Sequence, residues 1–405
     1  MGTLSVLTLD TLKAAVAGDA TALRSVNDLI PAGGADDKVF PPTYMGGAYA
    51  TETRVVCGQR LPCVLLDSVQ SQANRMELAL LSAVRRGKIT LPLVEVDFNK
   101  VGLSEVGVIT SLEAPHRLAD AILRDSMKDG VRFRDTAEGK SFTDSTAGNA
   151  TAMFGLCPTV LIFGMWDSTG PKGGLGTKIQ RALISEIIGI DVETGVRSSS
   201  RIDPLQIQLG AGPLFETADG SWTLDEKLAR KDAKNKPVTL GKDGKPSQAN
   251  HGNIPPTLDP GKGGVTLVRA TQTTVLSLAA LRRLHFPLSG SRPDAKVDDA
   301  ARTVLAALAL CAAALSRNEG FDLRSRCLLT PTGPVVWEWL DADGGAHPVG
   351  LPVDAAIALL ADAVKAAAKL GLPWHTEPFV LQPSPQLVEL VRKNRSLMAQ
   401  KTAEA

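Results

Sequence analysis

Cys63-Val-Leu-Leu-Asp-Ser-Val-Gln-Ser-Gln-Ala-Asn-Arg-Met-Glu-Leu-Ala-Leu-Leu-Ser-Ala-Val-Arg-Arg-Gly87 carries the chain from a strand into a helix. Cys63–Leu66 is a bulky apolar run, and with Thr51–Val56 it makes a strand pair turned through Gly58-Gln59-Arg60. Val69, Ala73, Met76, Leu80 and Val84 then recur with a 3.6-residue period, which predicts a helix from Ser68 to about Arg86, ended by Gly87. Asp67 is the natural N-cap, with Gln70 at N3 as a variant of the capping box. Ser68, Ser71, Gln72 and Arg75 fall at i, i+3, i+4 and i+7, a polar stripe opposite the apolar face. Such a helix start can take a phosphate. The competing reading is an ordinary capped amphipathic helix, since the Asp67 carboxylate addresses the same amides.

Outward from this unit, Leu9–Ala17 reads as a helix capped by Asp10, and Ala22–Ile30 as a strand. Ile89–Phe98 and Thr159–Trp166 read as strands, and Pro115–Met127 as a helix. Lys178–Ile190 suits strand or helix. From Thr194 to Gly264 periodicity fades and Gly, Pro, Lys and Asp dominate, which predicts an extended, solvent-exposed insertion. Val265–Arg269 reads as a strand, Thr273–Leu284 and Ala295–Leu315 as helices, Val335–Leu340 as a strand, Val353–Leu370 as a helix, and Pro385–Lys401 as a polar terminal helix. Strands and helices mix without strict alternation, so the fold class is α+β.

The 405 residues allow two or three domains, and 44% hydrophobic with 21% charged residues is ordinary for a globular chain. Lys and Arg total 44 against 43 Asp and Glu, so a nucleic-acid surface has to come from local segregation of charge. Only 4% of residues are aromatic, which disfavours a protein built on stacking platforms. No uninterrupted apolar run approaches the ~18 residues that span a bilayer, and Thr303–Leu315 is too short, so no membrane partner is expected. The N-terminus lacks a secretory pattern, and five scattered cysteines read as reduced thiols, which together predict a cytoplasmic protein. The cysteines and the five histidines show no ligand spacing, so neither metal nor cofactor is expected. No GxGxxG, HExxH or GxSxG motif occurs. In Gly170–Lys178 the order Thr177-Lys178 reverses that of a P-loop.

Three regions break the charge balance. Lys227, Arg230, Lys231, Lys234, Lys236, Lys242 and Lys245 are opposed within their stretch by Asp232 and Asp243 alone, as either a solvated loop or an arm lying along a polyanion. Between Asp259 and Asp294 stand Lys262, Arg269, Arg282, Arg283 and Arg292 with no acidic residue. The glycine-rich Gly170–Lys178 loop carries Lys172 and Lys178, with Arg181, Arg197 and Arg201 downstream. Backbone amides of such a loop approach phosphate oxygens closely, and the three regions together point to a nucleic-acid groove.

Asp67-Ser-Val-Gln-Ser-Gln-Ala-Asn-Arg75 resembles the Ser-Ser-Gln-Ser-x-Lys-Arg helix start of CRISPR Cascade backbone subunits of the RAMP superfamily, with one extra residue and Asn74 in place of Lys. Pro41–Tyr44, Ala114–Asp120, Thr146–Asn149, Phe163–Ser168, Lys172–Lys178 and Ser199–Pro204 extend the resemblance, specifically to the type I-U (I-G) variety. It implies a palm formed by a modified RRM, a ferredoxin-like β-α-β-β-α-β sheet, with a helical finger insertion and a β-hairpin thumb. By chain order the palm would comprise residues 1–87, 156–195 and 264–405, the last including the C-terminal helices, with fingers at 88–155 and thumb at 196–263. It implies RNA contacts from Lys38, Ser68, Gln70, Ser71, Gln72, Asn74, Arg75, Lys172, Gly173, Gly174, Thr177, Lys178, Arg181, Arg197, Ser199 and Arg201.

The implied function is non-catalytic. Copies of the chain polymerise along the guide RNA, present it for pairing with target DNA in antiviral defence, and dock other Cascade subunits. Holding phosphates and sugars while leaving base edges free suits a subunit that must accept any guide. Two alternatives stand beside it: a metal-dependent RNA nuclease of the same superfamily, using Asp36 or Asp37, and a nucleotide-binding enzyme using the Gly170–Lys178 loop.

Overall fold

The computed structural model describes residues 4–170, 176–288, 292 and 294–403. It divides into two compact units: Met1–Glu193 with Thr266–Leu387, and Thr194–Val265 with Val388–Ala405. Helix α1 (Leu9–Ala17) precedes strand β1 (Ala22–Pro31), the hairpin β2 (Thr51–Val56) and β3 (Gln59–Asp67), and helix α2 (Val69–Arg85). Strands β4 (Val94–Asp97) and β5 (Val108–Thr110), helix α3 (Ala121–Arg124) and strands β6 (Ser126–Lys128) and β7 (Val131–Arg132) follow. Then come helices α4 (Ala137–Asp144), α5 (Thr151–Leu156) and α6 (Thr159–Phe163), and the short strands β8 (Met165–Trp166) and β9 (Lys178–Ile179). Strand β10 (Leu183–Arg201) leads to the small hairpin β11 (Phe215–Glu216) and β12 (Trp222–Thr223), and the chain returns through β13 (Ile254–Ser277). Helices α7 (Leu278–Leu281) and α8 (Ala295–Asn318) precede strands β14 (Phe321–Arg324), β15 (Cys327–Pro331), β16 (Trp337–Leu340) and β17 (Ala346–Val349). Helix α9 (Val353–Ala368), strand β18 (Phe379–Pro383) and helix α10 (Pro385–Ala403) complete the chain.

The main sheet of the first unit runs β14-β15-β1-β13-β10-β3-β2, with β16 also pairing β1 and β17 pairing β16. β1 lies antiparallel to β13, Ala22 opposite Ser277 and Leu29 opposite Ala270. β10 lies antiparallel to β3 from Ile187 opposite Asp67 to Ile190 opposite Cys63. Buried and open residues alternate along β1, the pattern of an antiparallel sheet covered on one face. The cover is helical: α8 packs against α1, α2 and α9. A second sheet, β5-β4-β18-β6-β7, is mixed, with β18 parallel to β4 and antiparallel to β6. The chain is α+β.

Several expectations change. Ser68, not Asp67, caps α2, its hydroxyl accepting from the Ser71 amide, and Gln70 therefore sits at N2. The cap of α1 is Thr8, not Asp10. Thr159–Phe163 is a helix, not a strand; every one of its residues is buried, so no exposed face betrayed its period. β13 continues to Ser277, leaving only Leu278–Leu281 of the helix expected at Thr273–Leu284. Pro115–Met127 breaks into a 3-10 turn, the short α3 and the start of β6, while only Val94–Asp97 of Ile89–Phe98 is strand. Lys178–Ile190 resolves into β9 and the first part of β10. Helix α8 is 24 residues long and apolar enough to cross a membrane by length and composition, longer than its apolar run suggested. It is the core helix, with 83% of its most apolar window buried in the protein.

A buried polar network ties the helical layer to the sheet. The Asp67 carboxylate, at the end of β3, has a fully buried side chain. Its Oδ2 accepts from Gln72 Nε2 at 2.6 Å and Arg75 Nε at 2.9 Å, and Oδ1 faces Arg324 Nη2 at 3.5 Å. Gln72 Oε1 accepts from Ser185 Oγ of β10 and Gln272 Nε2 of β13, each at 2.9 Å. Ser185 shares a hydrogen bond with Thr274, and Gln272 Oε1 accepts from Arg317 of α8 at 3.2 Å. Burial pushes the Arg317 guanidinium down to about 10.

Removing one partner from a buried ion pair strands the others, so Asp67→Ala should lower unfolding free energy by about 3 kcal/mol. Urea denaturation measures it, and a change within roughly 0.5 kcal/mol, the range of an ordinary surface substitution, would count against the network's weight. Cys57 is exposed, while Cys63, Cys157, Cys311 and Cys327 are buried. Burial pushes the Cys311 thiol up to about 12 and Cys327 to about 11. A thiol reagent should therefore label Cys57 alone in the native protein and all five after denaturation.

Candidate nucleic-acid interface

The start of α2 does not present the surface its spacing suggests. The stripe Ser68, Ser71, Gln72 and Arg75 turns toward the sheet edge, because Asp67 lies buried beneath it. Gln72 is buried, with both ends of its amide spent in the network. Arg75 donates to Asp67 and, through Nη1 and Nη2, to the carbonyls of Asp322 and Leu323 at 3.3 and 2.7 Å. Its charge is spent on the fold. Gln70 and Asn74 are the exposed residues of this set, with Ser68 and Ser71 half-buried beside them.

Further along α2, Glu77 is buried and takes a two-pronged contact from Arg117, at 2.6 and 2.9 Å. Burial raises the Glu77 carboxyl above its usual range, against the pull of Arg117 and Arg181. Arg117 also donates to the Gly164 carbonyl at 3.2 Å. Gly164 has φ +78, and a Cβ there would meet the Arg181 amide at 2.9 Å, so only glycine fits. Arg181 donates to the Phe163 carbonyl at 3.0 Å, and burial, then Arg117, lowers its guanidinium below the usual range. This half-buried charge supports the entry to the glycine-rich loop.

Lys172, Gly173 and Gly174 lie outside the described residues. The loop's flanks are firmly held. Asp167 is buried and gripped at both oxygens by Arg134, at 2.6 and 2.7 Å. The Asp167 amide donates to the Thr177 carbonyl at 2.9 Å. Thr177 is buried, and its hydroxyl donates to the carbonyls of Thr143 and Ser145, so it serves as an anchor. Lys178 is exposed, its ammonium 5.5 Å from the centre of the Trp166 ring. Trp166 is 56% exposed, an aromatic surface that site reasoning from sequence passed over. The available signal was a tryptophan just before a basic glycine-rich loop. Such a ring offers a face on which a base can stack. Lys38 is half-buried in an early loop, where its amide donates to Asp37 Oδ1.

In the second unit, Arg197 pairs with Asp259 at 2.7 Å, and Ser199 shares a hydrogen bond with Thr257 at 2.6 Å. These contacts join the outer parts of β10 and β13. Gly263 permits the approach, since a Cβ there would meet the Val196 carbonyl carbon at 2.1 Å. Arg201 is exposed. Arg230 pairs with Glu216, and Lys245 with Asp243. Lys227, Lys231, Lys234, Lys236 and Lys242 are exposed, and no ion pair holds them among the described residues. The basic stretch around 262–292 is mostly engaged. Lys262 pairs with Asp259 and Arg269 with Asp28, Arg282 donates to carbonyls at the end of α1, and Arg283 donates to Gln180. No group of three or more His, Cys, Asp or Glu residues is placed to hold a metal ion among the described residues.

Part of this chain is similar to a family of CRISPR-associated proteins. The matching family model, over residues 23–194, is described as CRISPR-associated protein GSU0053. Those residues run from β1 to the inner part of β10. The crystal structure of Thermofilum pendens Csc2 is similar at 13% identity, covering 90% of this chain and 79% of that one, with a TM-score of 0.27. At that score it adds no weight. Comparison with curated proteins finds no match.

Arg75→Ala should act on the fold before it acts on any ligand. Losing charge-assisted hydrogen bonds should lower stability by roughly 2 kcal/mol and leave the salt dependence of RNA binding unchanged. A salt slope that falls while the urea midpoint stays put would return Arg75 to the interface.

Proposed function

We propose that this chain is a non-catalytic, RNA-binding backbone subunit of a type I Cascade effector, of the I-U (I-G) variety. Copies line the guide RNA and present it for pairing with target DNA, alongside other Cascade subunits in the cytoplasm. The observation that carries the reading is a local gathering of positive charge. Arg75, Arg117 and Arg134 of the first unit are tied to carboxylates and carbonyls, and in the second unit five exposed lysines gather within sixteen residues without ion pairs. Such lysines follow a phosphate backbone and read no base, which a guide-independent subunit requires.

The strand order supports a modified RRM palm. β15-β1-β13-β10 is the order of a ferredoxin-like sheet, with α2 between β1 and β10 and α8 between β13 and β15 in the chain. Residues 88–155 would be the fingers, with the second sheet beside them. Residues 196–263 would be the thumb, and the compact second unit supports that division. The exposed contacts proposed for RNA are Gln70, Asn74, Lys178 with Trp166, Arg201 and the lysine group. Ser68, Ser71 and Lys38 stand at the margin, and Lys172, Gly173 and Gly174 are proposed from their loop composition. Gln72, Arg75, Thr177, Arg181, Arg197 and Ser199 act as supports behind them.

The test replaces Lys227, Lys231, Lys234, Lys236 and Lys242 with alanine and measures RNA affinity against salt. The log–log slope should shrink by about 0.7 for each phosphate of a single strand that the variant no longer neutralises, equally for unrelated RNA sequences. Unfolding should be unaffected. An unchanged slope, or a weakening confined to one sequence, overturns the reading.

A further inference from the structure

Beside the second sheet, the first unit carries a cleft of about 600 Å³. That is within the usual range of ligand and peptide pockets, about 300–1,000 Å³. Leu93, Leu156, Trp374 and Phe379 supply its apolar walls, and Glu138 and Glu377 stand on it as exposed carboxylates. Neither carboxylate makes an ion pair among the described residues. The wall is held in place, since Trp374 Nε1 donates to the Thr90 carbonyl at 3.4 Å and its ring meets Phe154 edge-on at 5.4 Å. Nothing in the RNA-binding role uses this cleft, and its charge is wrong for a phosphate.

Helix α10 carries the complementary chemistry. Leu390, Leu397 and Met398 are 64%, 49% and 61% exposed. They fall at i, i+7 and i+8, one apolar stripe along a helix. Val388 lies on another side of the helix and is buried, and half-buried Val391 borders the stripe beside Met398. Lys393, exposed, borders the stripe and supplies positive charge at its edge. A helix laying an apolar stripe into a groove is a recurrent recognition mode, and rim charges of opposite sign set its direction.

We propose that α10 of one copy docks its Leu390–Leu397–Met398 stripe into the Glu138–Glu377 cleft of a second copy. Helix and cleft are different surfaces, so the contact is head-to-tail and leaves a free helix at one end and a free cleft at the other. Such a contact propagates into an open array, as copies side by side on one RNA require. In that respect alone it rests on the function proposed above.

The test uses the full chain in two variants at exposed positions, a helix variant (Leu390→Gln with Leu397→Gln) and a cleft variant (Glu138→Lys with Glu377→Lys). Sedimentation measures association alone and on poly(U), and binding to a short oligo(U) is measured alongside. The wild type should form species that grow with concentration. Each variant alone should associate roughly tenfold more weakly or worse, as when interface anchors are removed, with oligo(U) affinity and urea midpoint unchanged. An equimolar mixture of the two variants should give dimers and nothing larger, because one intact helix and one intact cleft remain between them. Full association in either variant, a mixture that stays monomeric, or a cleft variant that loses oligo(U) binding overturns the proposal. A wild type that binds oligo(U) yet stays monomeric even on poly(U) overturns the docking and leaves the RNA-binding reading standing. One that assembles through this contact but binds no RNA does the reverse.

Discussion

A carboxylate fully buried at the end of a strand cannot stay charged without partners, and Asp67 collects three: Gln72, Arg75 and Arg324. Two of these are on α2 and the third is on β14. Asp67 therefore sets where α2 starts and how it lies on the sheet. Its other consequence is local: with the carboxylate turned inward, Ser68 takes over the cap. Gln72 then relays the constraint to β10 and β13 through Ser185 and Gln272. Those two strands continue into the second unit, so the network also braces the inner ends of the segments that lead there.

The same economy governs the rest of the first unit. Glu77 with Arg117 and Asp167 with Arg134 are bidentate pairs with little exposure, each joining elements far apart in sequence. Arg117 links α2 to the turn before β8, and Arg134 holds the residue from which the glycine-rich loop departs. These arginines shape the loop's frame and are committed to it. Positive charge that can meet a polyanion gathers densely in the lysines of the second unit, and Lys178 stands exposed at the edge of the loop. A chain with 44 basic and 43 acidic side chains thus still gathers positive charge locally.

Much of this was legible beforehand. The sequence placed α2, α8, α9 and α10 within a few residues, and read β1 and the β2–β3 pair as strands. Buried segments misled. Thr159–Phe163 is apolar on every side and so has no readable period. Thr273–Ser277 continues a strand because its partner, β1, lies some 250 residues away in sequence, with Ala22 opposite Ser277. At the interface, the residue types around Asp67 were recognised correctly as a polar helix start, but which of them face water depended on Asp322, Leu323 and Gln272, none of them near in sequence.

By itself, the sequence determined the α+β class, the amphipathic helices, the irregular basic stretch after Thr194 and the motifs that resemble those of Cascade backbone subunits, because each is written in local periodicity, composition or short motifs. The tertiary structure alone decided which charges are available. An arginine's partner is chosen by distance in space, and Arg75, Arg117, Arg134 and Arg197 found theirs across long stretches of chain, while Lys231, Lys234 and Lys236 did not.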